Sequence, residues 1–249
     1  MDKLIVDPTG LTFNDLQNND WEVVKLNITV DTTAAMDWVN TVEKDNQDSI
    51  WTFDRADLVA EEHMEMFLRH RQKLLSRTET EMPNQWGLQW SYQRDGVIPF
   101  IMYACKTQYP EIDEPDFMQR WDQNLEKYYF GFWKRYYEFL GPDVFHVTRL
   151  VKFPKGCGLH THKDTGENQP FLIRMHTIPE IGPDTFFNYG SDMSDTSRQY
   201  KLEPGCTYLL NTGIIHSAIN YDDRDWWMLH NNPTPEAVDR LLNIKAHVE

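Results

Sequence analysis

From Val144 the hydrophobic period changes from the helical one to a period of two, and that change is the strongest constraint on the fold. Phe145, Val147, Arg149, Val151 and Phe153 alternate with their neighbours, and a Pro154-Lys155-Gly156 turn follows. Further short strands are predicted at Gly158–Asp164, Phe171–Ile178, Thr185–Tyr189, Cys206–Asn211, His216–Asn220 and Arg224–Asn231. Turn sequences separate them: Asp164-Thr165-Gly166, Ile181-Gly182-Pro183-Asp184, Glu203-Pro204-Gly205 and Tyr221-Asp222-Asp223. Many short, evenly spaced strands bury one face each only by closing on one another, as a sandwich or barrel of the jelly-roll kind.

The preceding residues, 1–143, read as a helix-rich part flanking that core. Helices are predicted over Thr32–Lys44, behind an Asp31-Thr32-Thr33 cap, and over Asp57–Arg77. A third opens at Asp113-Glu114-Pro115, carries Phe117, Trp121, Leu125, Tyr128 and Phe132, and stops at Gly141-Pro142. Between them Trp86, Leu88, Trp90 and Tyr92 alternate as a strand. His63 and His70, on the second helix, read as ordinary surface or partly buried residues. Residues 144–233 form the predicted core, and 234–249 a closing helix begun by Thr234-Pro235-Glu236. No repeat and no long linker divides the chain, so one domain is expected: a helical layer on a β core.

Composition sets the class. The 249 residues carry a formal charge of −15, which disfavours nucleic acid as a partner because phosphate binding needs a basic footprint. A 13% aromatic content is unlike a disordered acidic chain. No apolar run reaches membrane-spanning length, and the N-terminus lacks the apolar core of a signal peptide, so a soluble cytoplasmic protein is expected. Cys105, Cys157 and Cys206 form no CxxC pair, which indicates neither a disulfide framework nor a zinc ribbon.

Six of the nine histidines lie between His146 and His230. In Leu159-His160-Thr161-His162-Lys163-Asp164, residues 160, 162 and 164 share one face of an extended chain, so His162 and Asp164 converge as an H-x-D pair. His216, after Gly213-Ile214-Ile215, is the best-placed third ligand. Two imidazoles and a carboxylate leave three metal positions open, the facial arrangement of non-haem Fe(II) oxygenases. Arg174 and His176 share a strand face opposite Ile173 and Met175. Arg224 follows His216 by eight residues, at the start of a strand whose face continues Trp226, Met228, His230. Arginine grips a carboxylate through two parallel N–H groups, so these positions suit a dicarboxylate.

Taken in order, Pro154 to Asp164, Ile173-Arg174-Met175-His176, Pro204-Gly205, His216 and Arg224 resemble the aspartyl/asparaginyl β-hydroxylase family, a cupin-like branch of the 2-oxoglutarate- and Fe(II)-dependent dioxygenases. The similarity covers about residues 145–235. It implies a double-stranded β-helix, with iron on His162, Asp164 and His216. It implies that Arg224 grips the distal carboxylate of 2-oxoglutarate, and that Arg174 and His176 contact cosubstrate or substrate. It also implies O2 as co-reactant and hydroxylation of an amino acid or amino-acid side chain, free or in a peptide, with release of succinate and CO2. Some members replace the carboxylate ligand by glycine, whereas Asp164 is present here. The His216–Arg224 interval is about two residues shorter than the family's, which leaves Arg149 and Arg174 as alternative anchors.

Two other classes compete. His160-Thr161-His162-Lys163-Asp164 resembles the H-x-H-x-D-H signature of metallo-β-lactamase-like zinc hydrolases, but Thr165 stands where the last histidine would be. A non-catalytic cupin-like binding module would not need the complete triad. Charge patterning favours an anionic ligand in this region. Between Arg149 and Arg174 five basic residues face two acidic ones, a local +3 in a chain of −15.

Overall fold

The structure, a computed structural model, describes residues 3–45, 88–93, 96–102, 128–145, 147–153, 158–164, 172–191 and 197–249. Residues 88–93, 96–102, 147–149, 158–160 and 162 are placed by backbone alone. The predicted helix over Asp57–Arg77, with His63 and His70, lies outside the described residues, as do Cys105 and Cys157.

Among the described residues thirteen strands form two sheets. The large sheet runs β1 (Leu4–Ile5), β2 (Val23–Val30), β10 (Cys206–Asn211), β7 (Ile173–Glu180), β12 (Trp226–Asn231), β5 (Val147–Phe153), β3 (Leu88–Gln93), β4 (Gly96–Met102), with β13 (Ala246–Val248) also on β2. The small sheet runs β6 (Gly158–His162), β11 (His216–Asn220), β8 (Thr185–Tyr189), β9 (Arg198–Tyr200). Apart from the parallel pairings of β1 and β13 with β2, the strands are antiparallel. The chain passes from sheet to sheet between β11 and β12 and again between β6 and β7. This is a jelly-roll, cupin-like fold, with helices on one side.

Alternation decides which residues lie between the sheets. Val151 and Phe153 of β5, Ile178 of β7, Phe187 of β8, Tyr208 and Leu210 of β10, and Trp226 and Met228 of β12 form one buried cluster. The intervening residues Ile173, Met175, Leu209 and Leu229 face the helices and join a second cluster. That layer contains α1 (Phe13–Asn18), α2 (Thr32–Asp45), α3 (Gly131–Leu140) and α4 (Pro235–Asn243). Trp38 of α2 stacks on Trp133 of α3 at 5.5 Å and donates its indole N–H to the Tyr128 carbonyl. Each large apolar side chain so buried contributes ~1.5–3 kcal/mol. Polar side chains in the same layers are therefore exceptions that need partners.

Four sequence expectations change. The closing helix expected over residues 234–249 ends at Asn243, and Ala246–Val248 instead pairs with β2 as strand β13. The eight-residue β2, absent from the predicted strands, lies inside the large sheet, so the N-terminal part supplies β structure as well as helix. Its pattern was present in the sequence: Val24, Leu26, Ile28 and Val30 are apolar at every second position. Within the described part of the third predicted helix, the chain leaves helical geometry at Tyr129-Phe130 and restarts at Gly131. Gly141 ends that helix with φ +86°, as its position before Pro142 predicts. The strand at Arg224 begins only at Trp226, after a turn.

Glu22 holds the small sheet's outer strand to the large one. Its carboxylate is fully buried and accepts from Arg198 Nε at 2.8 Å and Tyr200 Oη at 2.6 Å, both on β9, with Lys3 Nζ at 3.2 Å. Removing one member of a buried ion pair costs ~3–5 kcal/mol. Arg198 and Lys3 are each about a third exposed and can rehydrate, which places Glu22→Ala at the low end, about 3 kcal/mol in urea unfolding. A loss below about 1 kcal/mol would show that the β9 closure does not depend on this carboxylate.

At the other side, Asp143 accepts two hydrogen bonds from Arg240 of α4, each 2.8 Å, which holds its carboxyl below the ordinary range. A depressed carboxylate stabilises the fold above its unfolded pKa, and that contribution disappears as pH falls through the folded value. Both groups are a third or more exposed, so solvent limits the pair to about 0.5 kcal/mol. Asp143→Asn is expected to lower stability by that amount at neutral pH, with parent and variant converging as pH falls through the depressed folded value of this carboxyl.

Candidate active site

The inward-facing positions turn from apolar to polar towards one end of the barrel. Along β7 the series is Ile178, His176, Arg174; along β12 it is Trp226, Met228, His230; along β11 it is Ala218, then His216. Sheet register brings these together. His176 pairs with Tyr208 on one side and His230 on the other, and His230 stands opposite Arg149 of β5. On the small sheet His216 stands opposite His162 of β6 and Tyr189 of β8. The loop after β6 is tied to the same end, because Asp164 N–H donates to the Thr212 carbonyl at 3.0 Å.

His216 is 2% exposed and stacks on Phe187, ring centroids 5.6 Å apart and planes 10° from parallel. Its Nδ1 lies 2.9 Å from the Ile214 carbonyl oxygen. A carbonyl only accepts, so Nδ1 carries the proton and the lone pair is on Nε2. This is the tautomer a metal-binding imidazole uses, oriented by a backbone carbonyl.

Arg174 is 5% exposed, and its Nη2 lies 3.3 Å from Asp164 Oδ2. Burial lowers the guanidinium below its ordinary value and the Asp164 charge opposes that shift. It remains a cation, since arginine does not deprotonate in proteins. His176 is buried, and its pKa is pushed down to about 3, chiefly by burial and further by His216 and Arg174, with Asp164 opposing. It is a neutral imidazole at physiological pH. Its ring and that of Phe187 meet edge to face with centroids 6.0 Å apart, and its Nε2 lies 3.0 Å from His230 Nδ1.

Asp164, Arg174, His176 and His216 therefore share one end of the barrel, and His162 is in register with His216. Among the described residues no three His, Cys, Asp or Glu groups already lie close enough to hold a metal, and His162 is placed by backbone alone. The donor types suit Fe(II): a lone pair on a neutral imidazole, a carboxylate, and a second histidine on the adjacent strand.

Arg224 lies apart from this cluster. Its side chain is 58% exposed, its Nε is 3.3 Å from Asp222 Oδ1, and its carbonyl accepts from Asn220 Nδ2 at 2.8 Å. Asn220 ends β11 and His216 begins it, so the Arg224 turn is at the opposite end of the strand from the histidine. Arg224 belongs to the turn, and the strand's inward face starts at Trp226. His230 and Phe187 are the site residues that sequence reasoning did not select. His230 was legible as the third residue of the Trp226, Met228, His230 face, but its partner on β7 required the strand register.

No family model and no curated protein matches the chain. Solved structures that it resembles in part include a cupin domain from Bordetella pertussis Tohama I, at 16% identity over 35% of this chain and 80% of that one, TM-score 0.28. A prolyl-4-hydroxylase from Pseudomonas putida matches at 15% identity over 34% of this chain and 46% of that one, TM-score 0.26. A ribosomal oxygenase from Escherichia coli matches at 13% identity over 60% and 40%, TM-score 0.29. Overlaps of this size are local, and nothing about activity follows from them. Among the described residues, no helix is long and apolar enough to cross a membrane.

Proposed function

We propose that the chain is a 2-oxoglutarate- and Fe(II)-dependent dioxygenase that hydroxylates an amino acid or an amino-acid side chain. The observation that carries this reading is the buried Arg174 guanidinium beside Asp164, at the barrel end where His216 presents its Nε2 lone pair. A structural core has no use for a cation there, whereas a site for an anionic cosubstrate next to a metal does.

His162, Asp164 and His216 would hold the iron, which when bound supplies the redox chemistry that couples O2 reduction to oxidation of the cosubstrate and substrate. The chain's own residues do the remainder. The Ile214 carbonyl keeps His216 in the binding tautomer, and Phe187 fixes the plane of its ring. Arg174, which lies on the inward face of β7, is the candidate anchor for a carboxylate of 2-oxoglutarate in place of Arg224. Arg174 also orients Asp164, so its charge serves ligand binding and ligand geometry together. The apolar wall of Val151, Phe153, Phe187 and Met228 excludes water from the barrel below the site.

Succinate formation from 2-oxoglutarate, assayed across the amino acids and a peptide panel, tests the reading. His216→Ala is expected to abolish it, Arg174→Met to reduce it at least 100-fold through loss of a buried charge-assisted bond, and Arg224→Ala to change it less than twofold, by about the energies of such contacts. Full turnover in His216→Ala would remove that residue from the metal site. A strong effect of Arg224→Ala with none of Arg174→Met would return the anchor to Arg224. Absence of succinate with every substrate would favour a binding module.

A further inference from the structure

The two inward-facing histidines of the large sheet form a chain with Asn232. His176 Nε2 is 3.0 Å from His230 Nδ1, and His230 Nε2 is 3.2 Å from Asn232 Oδ1. An amide oxygen only accepts, so His230 Nε2 carries a proton. With His230 as the neutral imidazole, its single N–H is the one on Nε2, which makes its Nδ1 an acceptor and His176 Nε2 the donor to it. The remaining nitrogen of His176, Nδ1, then bears a lone pair. That atom is fully buried and has no hydrogen-bond partner among the described residues.

We propose that His230 and Asn232 are positioning residues which fix His176 in the Nε2–H tautomer, so that its buried Nδ1 is an acceptor for an N–H or O–H group of the ligand in the barrel. This deepens the dioxygenase reading, since it assigns His176 a different task from Arg174 two residues earlier on the same face. Arg174 offers donors only and suits a carboxylate. His176 Nδ1 offers a lone pair, which repels a carboxylate and selects a hydroxyl, amine or amide. A buried acceptor left without a donor costs ~1–3 kcal/mol, and a ligand that supplies the donor regains it. The assignment differs from a histidine that donates to a cosubstrate carboxylate, for which Nδ1 would have to carry the proton.

The tautomers can be read without turnover. In the full-length protein labelled with 15N-histidine, two-bond 1H–15N correlation at neutral pH is expected to show His176 as a single Nε2–H form, with an unprotonated Nδ1 shift. Asn232→Asp, whose carboxylate accepts as the amide oxygen does, is expected to preserve that pattern. Asn232→Leu, which frees His230 to reverse its own tautomer, is expected to give a mixed or reversed His176. An Nδ1–H form in the parent overturns the proposal, and so does an unchanged His176 tautomer in Asn232→Leu. In the succinate assay, His176→Leu is expected to leave the half-saturating 2-oxoglutarate concentration within about threefold of the parent, because His176 does not hold a carboxylate. A rise of tenfold or more overturns the acceptor role even where the tautomer is as described. A chain that makes no succinate would contradict the dioxygenase reading, while the NMR result would still decide the tautomer.

Discussion

A guanidinium taken out of water must be met by negative charge, and the organisation of the barrel follows from where that happens. Arg174 is buried on an interior strand of the large sheet, where alternation would otherwise demand an apolar residue, and Asp164 meets it from the loop after β6. That ion pair joins the two sheets at the end where the metal-ligand candidates lie. Below it, Ile178, Met228 and Phe187 pack as in any jelly-roll core. The interior is thus divided along its length: an apolar part that stabilises the fold and a polar part that carries the candidate site.

The same division explains which parts of the molecule were legible in the sequence. Strands β5, β8, β10 and β11 are short runs set between turn residues, so their positions follow from local pattern. Helix α4 follows likewise, from Thr234 as cap, Pro235 at its first turn, and the apolar stripe Val238, Leu241, Leu242. β2 alternates, but it is isolated among helical segments, where a single strand has no evident partner; its neighbours β10, β1 and β13 are distant in sequence. The pairing of Glu22 with Arg198 and Tyr200 is equally non-local, and composition gives no sign of it.

At the site, period-two reasoning placed Arg174 with His176 on one face, because that inference needs only the strand's own geometry, whereas His216 was selected by its position after Gly213-Ile214-Ile215. Arg224 shows where such reasoning stops. Whether a residue belongs to the end of a turn or the start of a strand is decided by two residues, and here Asp222 draws Arg224 into the turn through both its backbone N–H and its Nε. The His176–His230 contact depends on the register between β7 and β12, which is interrupted between Trp227 and Leu229. A one-residue change in that register would move His230 to the opposite face.

The proposed function requires this barrel end to bind iron and a 2-oxo acid together. Anaerobic titration of the metal-free protein with Fe(II) in the presence of 2-oxoglutarate tests it directly, by the weak visible charge-transfer band of the chelated cosubstrate. The account predicts a band that saturates at one Fe(II) per chain and requires 2-oxoglutarate. A protein that binds no Fe(II), or that binds it without developing the band at millimolar 2-oxoglutarate, would contradict it.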